Sequence, residues 1–289
     1  MPAKRNLAMS SPPRDWTAID WTKVDTADAA RWIAVLPLAA TEQHGPHLPF
    51  ETDVMIGKAY LARVREQLPG AVPATFLPIE RIGISTEHID FKGTQTLSTE
   101  AALKEWKAIG ASVARAGVRK IVIVTSHGGN VSAMDLVARD LRVRRRMLVA
   151  TAAWHRFGYP EGTFERGEQR HGIHAGGVET SLMLADRADT VRMECAANAV
   201  AATVGMADDF KWLSAFRPVG FGWMSQDLHP SGALGDATLA TAAQGEAALR
   251  HGARGFVELL GDVDRFDLAR LAAGPLDAQA EGRPLQAGD

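Results

Sequence analysis

The chain has a single cysteine, Cys195, among 289 residues, which excludes an intramolecular disulfide and a cysteine-cluster zinc site. That fits a reducing compartment. It has almost no net charge: 32 basic against 34 acidic residues give a formal −2. So weak a balance leaves no electrostatic footprint for nucleic acid or an anionic membrane. The one dense basic run, Arg139 to Arg146, reads as the solvated end of a helix and its turn. No apolar run approaches the ~20 residues needed to span a bilayer. The first fifteen residues carry Lys4, Arg5, three prolines and two serines with no apolar segment behind them, so no secretory signal is visible. The expectation is a cytoplasmic protein with a small-molecule substrate and neither membrane nor nucleic-acid partners.

What is there is a large apolar fraction, 46%, enough for a sizeable core. Short apolar runs alternate with helical patterns. Strands are expected at Trp32–Leu38, Ala71–Ile79, Lys120–Thr125 and Met147–Ala153. Helices are expected at Val54–Gln67, Thr99–Ala116, Val131–Val143, Gly177–Ala188 and Thr238–Leu260. The continuous, β-branched Ile121–Val124 suits a strand covered on both faces. Strand–helix alternation predicts an α/β fold with a mostly parallel sheet and helices on both sides. Residues 1–16 read as a flexible arm and 17–262 as a single domain. Residues 263–289, rich in Ala, Gly, Pro and Gln from Gly274 onward, read as a tail, either disordered or at a subunit interface.

Four segments concentrate the polar chemistry. The first is Glu42-Gln43-His44-Gly45-Pro46-His47 with Asp53 shortly after, just past an apolar strand. Carboxylates mixed with imidazoles suit a divalent metal such as zinc, manganese or iron. The second, Ser126-His127-Gly128-Gly129-Asn130, follows a strand and opens a helix. The third runs from His174 to Ser181 and places Glu179 in a helix's first turns. The fourth holds Glu87 and His88, with Phe91 and Gly93-Thr94 after them. Singly, each has a structural reading: Asp53 as a helix N-cap, Glu179 as a charge complementing a helix dipole, a histidine beside glycine as a turn residue. Together, five potential ligands at strand ends and helix starts suggest a metal site, although spacing alone does not show that they converge.

These segments resemble the creatininase (creatinine amidohydrolase) family. Its Glu-Gln-His-Gly-Pro-His-Leu-Pro and Thr-Asp pattern stands at Glu42–Pro49 and Thr52-Asp53, and its His-Gly-Gly-Asn at His127–Asn130. His174-Ala175-Gly176, Glu179-Thr180-Ser181 and Gly235-Asp236-Ala237-Thr238 match as well. The resemblance implies a three-layer α/β/α domain, usually in a homohexamer, with two divalent metal ions per subunit. Zinc is the first expectation, manganese or iron(II) the alternatives. By motif, Glu42, Asp53 and His127 would hold one ion; His44, Asp53 and Glu179 would hold the other, with Asp53 bridging. A hydroxide held between the ions would cleave a C–N amide bond, and His174 would protonate the leaving nitrogen. Glu87, His88, Gly128, Gly129, Asn130, Trp154 and Arg170 would border the substrate.

Departures argue against creatinine itself. Creatininase carries Tyr-Glu where this chain has Gly128-Gly129, and a gating tryptophan where it has Arg170; a second pocket tryptophan is kept as Trp154. The expected activity is therefore hydrolysis of another small cyclic or linear amide. Hydrolytic ring opening of an oxidised inositol at the same site, through a C–C bond, is the nearest alternative. A non-catalytic metal-binding protein is the alternative of another class, and the presence of His174 speaks against it.

Overall fold

A computed structural model describes residues 11–215 and 219–272. Its centre is a four-stranded parallel sheet made of β1 (Ile33–Leu38), β2 (Ala74–Phe76), β3 (Lys120–Thr125) and β4 (Leu148–Ala153), in the order β2-β1-β3-β4. The long run expected at 71–79 yields only three strand residues because Pro73 and Pro78 flank them, and proline brings no N–H to a ladder.

Side chains of β1 and β3 alternate between two cores, as the two-residue period of a strand requires. Ile33, Val35, Val122 and Val124 pack against α1 (Thr52–Gln67), α4 (Gly177–Arg187) and α5 (Ala242–Arg265). Ala34, Leu36, Ile121 and Ile123 face α2 (Thr99–Arg115) and α3 (Val131–Arg145), where Trp106 and Met134 are fully buried. The result is the three-layer α/β/α arrangement. Ser98 caps α2 by accepting from the Ala101 N–H.

The last helix starts later than its sequence pattern suggests. Residues 237–239 form a separate turn, and Thr241 is the cap, accepting from Gln244 N–H. The other end runs to Arg265, where Lys120 Nζ donates to the carbonyls of Val263 and Asp264 at 2.8 and 2.7 Å. A cation there complements the negative end of the helix.

Of the expected N-terminal arm, residues 1–10 lie outside the described residues. The Arg14 guanidinium donates to the carbonyls of Pro69, Val72 and Ala74, and Asp15 bridges to Phe76 beside β2. Residues 273–289 of the expected tail also lie outside the described residues. No helix among the described residues is long and apolar enough to cross a membrane.

From β1 the chain crosses to β2 on one side, while β3 on the other side leads on to β4. The gap between the carboxyl ends of β1 and β3 is therefore the topological switch point, where open α/β sheets place their ligands. Helix α4, which borders this gap, lies against α5 with backbones in contact at Gly245: a Cβ there would collide with the Ser181 carbonyl. Gly245→Ala should lower stability by about 1–3 kcal/mol, the usual cost of overpacking. A melting temperature equal to that of the unaltered protein would show that the two helices separate freely.

Candidate metal centre

Because β1 and β3 are parallel neighbours with Leu38 opposite Thr125, the segments that follow them emerge side by side. Glu42 and His44 come from the first and His127 from the second. Asp53 and Glu179 sit in the first turns of α1 and α4, where helix dipoles favour negative charge. Asp53 is the second residue of its helix and points into the site, so the N-cap reading does not hold for it.

The five groups meet. His127 Nδ1 lies 3.2 Å from Glu42 Oε1 and 3.6 Å from Asp53 Oδ2. His44 Nε2 lies 3.8 Å from Asp53 Oδ1 and 3.6 Å from Glu179 Oε2. Asp53 thus turns one oxygen to each imidazole, which is the arrangement a bridging carboxylate needs. The opposite nitrogen of each ring meets a carbonyl, which can only accept. His44 Nδ1 donates to Glu42 O at 3.1 Å and His127 Nε2 to Ile84 O at 2.7 Å. With that nitrogen tied to a carbonyl, the other nitrogen of each ring is the one turned inward, where a metal-ligating histidine presents its lone pair. The Ala175 N–H donates to Glu179 Oε2 at 2.7 Å and fixes that carboxylate.

Glu42 Oε1 and Oε2, Asp53 Oδ2 and His44 Nε2 are buried without a hydrogen-bond partner among the described residues. Atoms of this kind are normally satisfied, and here they converge. Glu42, Asp53 and His127 bring ligand atoms within 4.8 Å of one another, as do His44, His174 and Glu179. Hard oxygens and imidazole nitrogens of this kind fit divalent cations.

The electrostatics agree. Burial drives the Asp53 carboxyl well above its ordinary range, and neighbouring Glu42 adds to it. Burial raises Glu179 and Glu87 too. Burial also acts to raise Glu42, but the His127, His88 and His174 rings outweigh it and hold Glu42 below the usual carboxylate range. Burial opposes a charged His127, yet Glu42, Asp53 and Glu87 keep it protonated well above the ordinary imidazole value. Protons here take up charge that a cation would otherwise balance.

The family model described as creatinine amidohydrolase matches residues 17–260. The chain belongs to the creatininase family. It is 34% identical over 251 residues to the mycofactocin precursor peptide peptidase of Mycobacterium ulcerans, covering 84% of this chain and 88% of that protein. It is 28% identical over 193 residues to the creatinine amidohydrolase of Pseudomonas putida, covering 61% and 73%. A creatininase solved in a Zn–Zn form overlays with a TM-score of 0.70 at 24% identity, covering 89% of this chain and 100% of that one. A manganese form gives 0.69, also at 24% identity, over 88% and 99%. The chain is accordingly a metal-dependent amidohydrolase.

Against the creatininase pattern, the residues expected to border the substrate divide into two groups. Glu87 and His88 join the cluster: His88 Nε2 is 3.4 Å from Glu42 Oε1, and Glu87 Oε1 is 3.5 Å from His127 Nε2. Gly129 leaves room for Glu87 beside His127, since a Cβ there would strike Glu87, His127 and the Ile84 carbonyl. Gly128 borders open space. Asn130 is buried and fully used as a clasp, accepting from Ile84 N–H and donating to Ala39 O and Thr125 Oγ1. Trp154 is packed in the core, stacked on Tyr60 at 4.5 Å and tilted against Phe256. Arg170 lies exposed on a short helix, Arg166–His171.

Two residues escaped the sequence reading. Glu168 accepts from Gly177 and Asp236 N–H and so ties the start of α4 to the loop behind it. The glycines crowding its carboxylate, Gly172, Gly176 and Gly235, were the visible signal. Gln43 lies inside the first motif and contacts two of the histidines.

Asp53→Ala should release metal from both positions, as read by elemental analysis; full retention would show that Asp53 does not bridge. Since imidazoles bind metal only when neutral, and His127 holds its proton above the ordinary imidazole range, metal binding should weaken progressively as pH falls from the alkaline range towards about 6. Equilibrium dialysis across that range checks this, and a flat profile would speak against histidine ligation.

Proposed function

We propose that this chain hydrolyses the C–N bond of a linear, peptide-type amide rather than of creatinine. In this reading Glu42, Asp53 and His127 hold one divalent cation, and His44, Asp53 and Glu179 the other. The observation that carries it is the set of orphaned carboxylate and imidazole atoms converging at the sheet's switch point. Zinc or manganese is supported by the mixed oxygen–nitrogen ligand set and by the metal forms of the solved creatininases. When bound, such ions acidify water and polarise a carbonyl.

The remaining work falls to side chains. His174 donates Nε2–H to Gln43 O at 2.6 Å, leaving its Nδ1 lone pair facing the cluster, 3.6 Å from Glu42 Oε1. That nitrogen can accept a proton from the attacking water and pass it to the leaving amine. Glu42, His44, Asp53 and His127 are buried, whereas Gly128 faces open space beside them, and a substrate approaching from that side would not meet a side chain there. The 34% identity to a peptide peptidase supports a peptide-type amide. A single domain over residues 17–262, a homo-oligomer (hexameric by family resemblance) and a cytoplasmic location belong to the same reading.

The test is mass-spectrometric screening of the zinc- and manganese-loaded protein with short peptides, formamides, lactams including creatinine, and inosose derivatives. Release of a new amine from a peptide is expected. Ring opening of an inosose without amide cleavage would replace this reading, and full metal loading without any turnover would leave a metal-binding protein. His174→Asn should keep the metal while turnover falls by ~10²–10⁴-fold; unchanged turnover would assign the proton to another group.

A further inference from the structure

Beyond the two cation positions, a third triad has metal-site geometry: ligand atoms of Glu42, His88 and His174 also lie within 4.8 Å of one another. Whether it can bind depends on which ring nitrogens carry hydrogen, and that is decided by Gln43, whose backbone carbonyl already holds the His174 ring and whose side-chain amide reaches His88. We infer that Gln43 is a positioning residue that sets the tautomers of His88 and His174 and thereby closes the third triad to metal.

The orientation of the Gln43 amide follows from partners with only one possible role. The Gly45 backbone N–H, a pure donor, points at Oε1 from 2.9 Å. The Gly232 carbonyl, a pure acceptor, faces Nε2 at 3.0 Å. Oxygen and nitrogen of the amide therefore cannot be exchanged. Both partners sit on left-handed glycines, at φ +64° and +75°, and a Cβ on Gly232 would collide with the amide itself. The pocket around this side chain is built to glycine dimensions.

The amide has two hydrogens, and one goes to Gly232 O. Two imidazole nitrogens are in range of the other, His88 Nδ1 at 2.8 Å and His174 Nε2 at 3.2 Å. His174 Nε2 is already a donor, to the Gln43 backbone carbonyl at 2.6 Å. It has no lone pair to offer, so the second amide hydrogen goes to His88 Nδ1. His88 must then carry its own hydrogen on Nε2, which faces Glu42 Oε1 at 3.4 Å. A nitrogen bearing hydrogen is not a metal ligand. His88 turns its Nε2–H towards the Glu42 carboxylate, while His174 keeps Nδ1 open. One residue thus uses its backbone carbonyl to free one imidazole and its side-chain amide to occupy the other.

The first experiment needs neither metal nor substrate. Two-bond ¹H–¹⁵N correlation spectra of the metal-free, ¹⁵N-histidine-labelled protein at neutral pH should show His88 as the Nε2–H tautomer. An Nδ1–H signature for His88 would overturn the inference outright. The second uses Gln43→Glu, whose carboxylate cannot donate an amide hydrogen, so that His88 should switch to Nδ1–H and turn its Nε2 lone pair towards Glu42. Elemental analysis should then find one metal equivalent more than in the unaltered protein. A switched tautomer without added metal would refute the claim that Gln43 closes the triad. Should that variant fail to fold, Gln43→Met keeps the shape without the donor, and loss of the fixed His88 tautomer is expected; a tautomer still fixed would refute the assignment. The metal count rests on the metal-centre reading, whereas the spectrum does not. An unaltered protein that binds no metal yet shows the His88 Nε2–H tautomer would sink that reading and leave this one standing.

Discussion

Burying carboxylates where water cannot reach them is the constraint around which this molecule is arranged. Glu42 and Asp53 are almost wholly inaccessible, and their inward oxygens find no hydrogen-bond donor among the described residues. An uncompensated buried charge costs several kcal/mol, so positive charge must come from somewhere. In the metal-free chain, protons supply it: His127 is held protonated and Asp53 is pushed towards its neutral form. Divalent cations held by the same residues would answer the same demand. The metal centre and the stability of its surroundings are, in that sense, one problem.

The fold meets the constraint by routing three distant segments into one gap. Parallel pairing of β1 with β3 aligns the chain ends that carry Glu42, His44 and His127. Two helices begin at the same gap, and their amino-terminal turns present Asp53 and Glu179 where the dipoles offset negative charge. Glycine permits the close approaches: Gly129 beneath Glu87, Gly232 against Gln43, Gly245 between α4 and α5. Carbonyls of Glu42, Ile84 and Gln43 each take one imidazole hydrogen and turn the other nitrogen inward. Backbone atoms, as much as side chains, specify the centre.

Membership of the creatininase family gives the reaction class, metal-dependent amide hydrolysis. Where creatininase presents a tyrosine and a glutamate, this chain presents two glycines, and the carboxylate of Glu87 reaches His127 from another segment. A carboxylate thus stays beside that imidazole while the space in front of Gly128 opens. Trp154, expected at the pocket, instead anchors an aromatic cluster with Tyr60, Phe157 and Phe256.

Much of this was legible beforehand, because local rules wrote it. Apolar alternation, β-branched runs and a Ser98-Thr99 start are short-range signals, and they place the strands and helices to within a few residues, save where Pro73 and Pro78 cut β2 short and Thr241 delayed α5. The candidate ligand residues each had a structural use when taken singly, and it was their number together with the resemblance to the creatininase family that grouped them. What the chain order could not disclose was the pairing of nitrogens with hydrogens, the employment of Asn130 and Trp154 in structure, or the parts played by Gln43 and Glu168. Those depend on which carbonyl or N–H faces which atom across tens or hundreds of residues. Hydrogen bonding is decided over fractions of an ångström, and only packing of the complete fold sets distances on that scale.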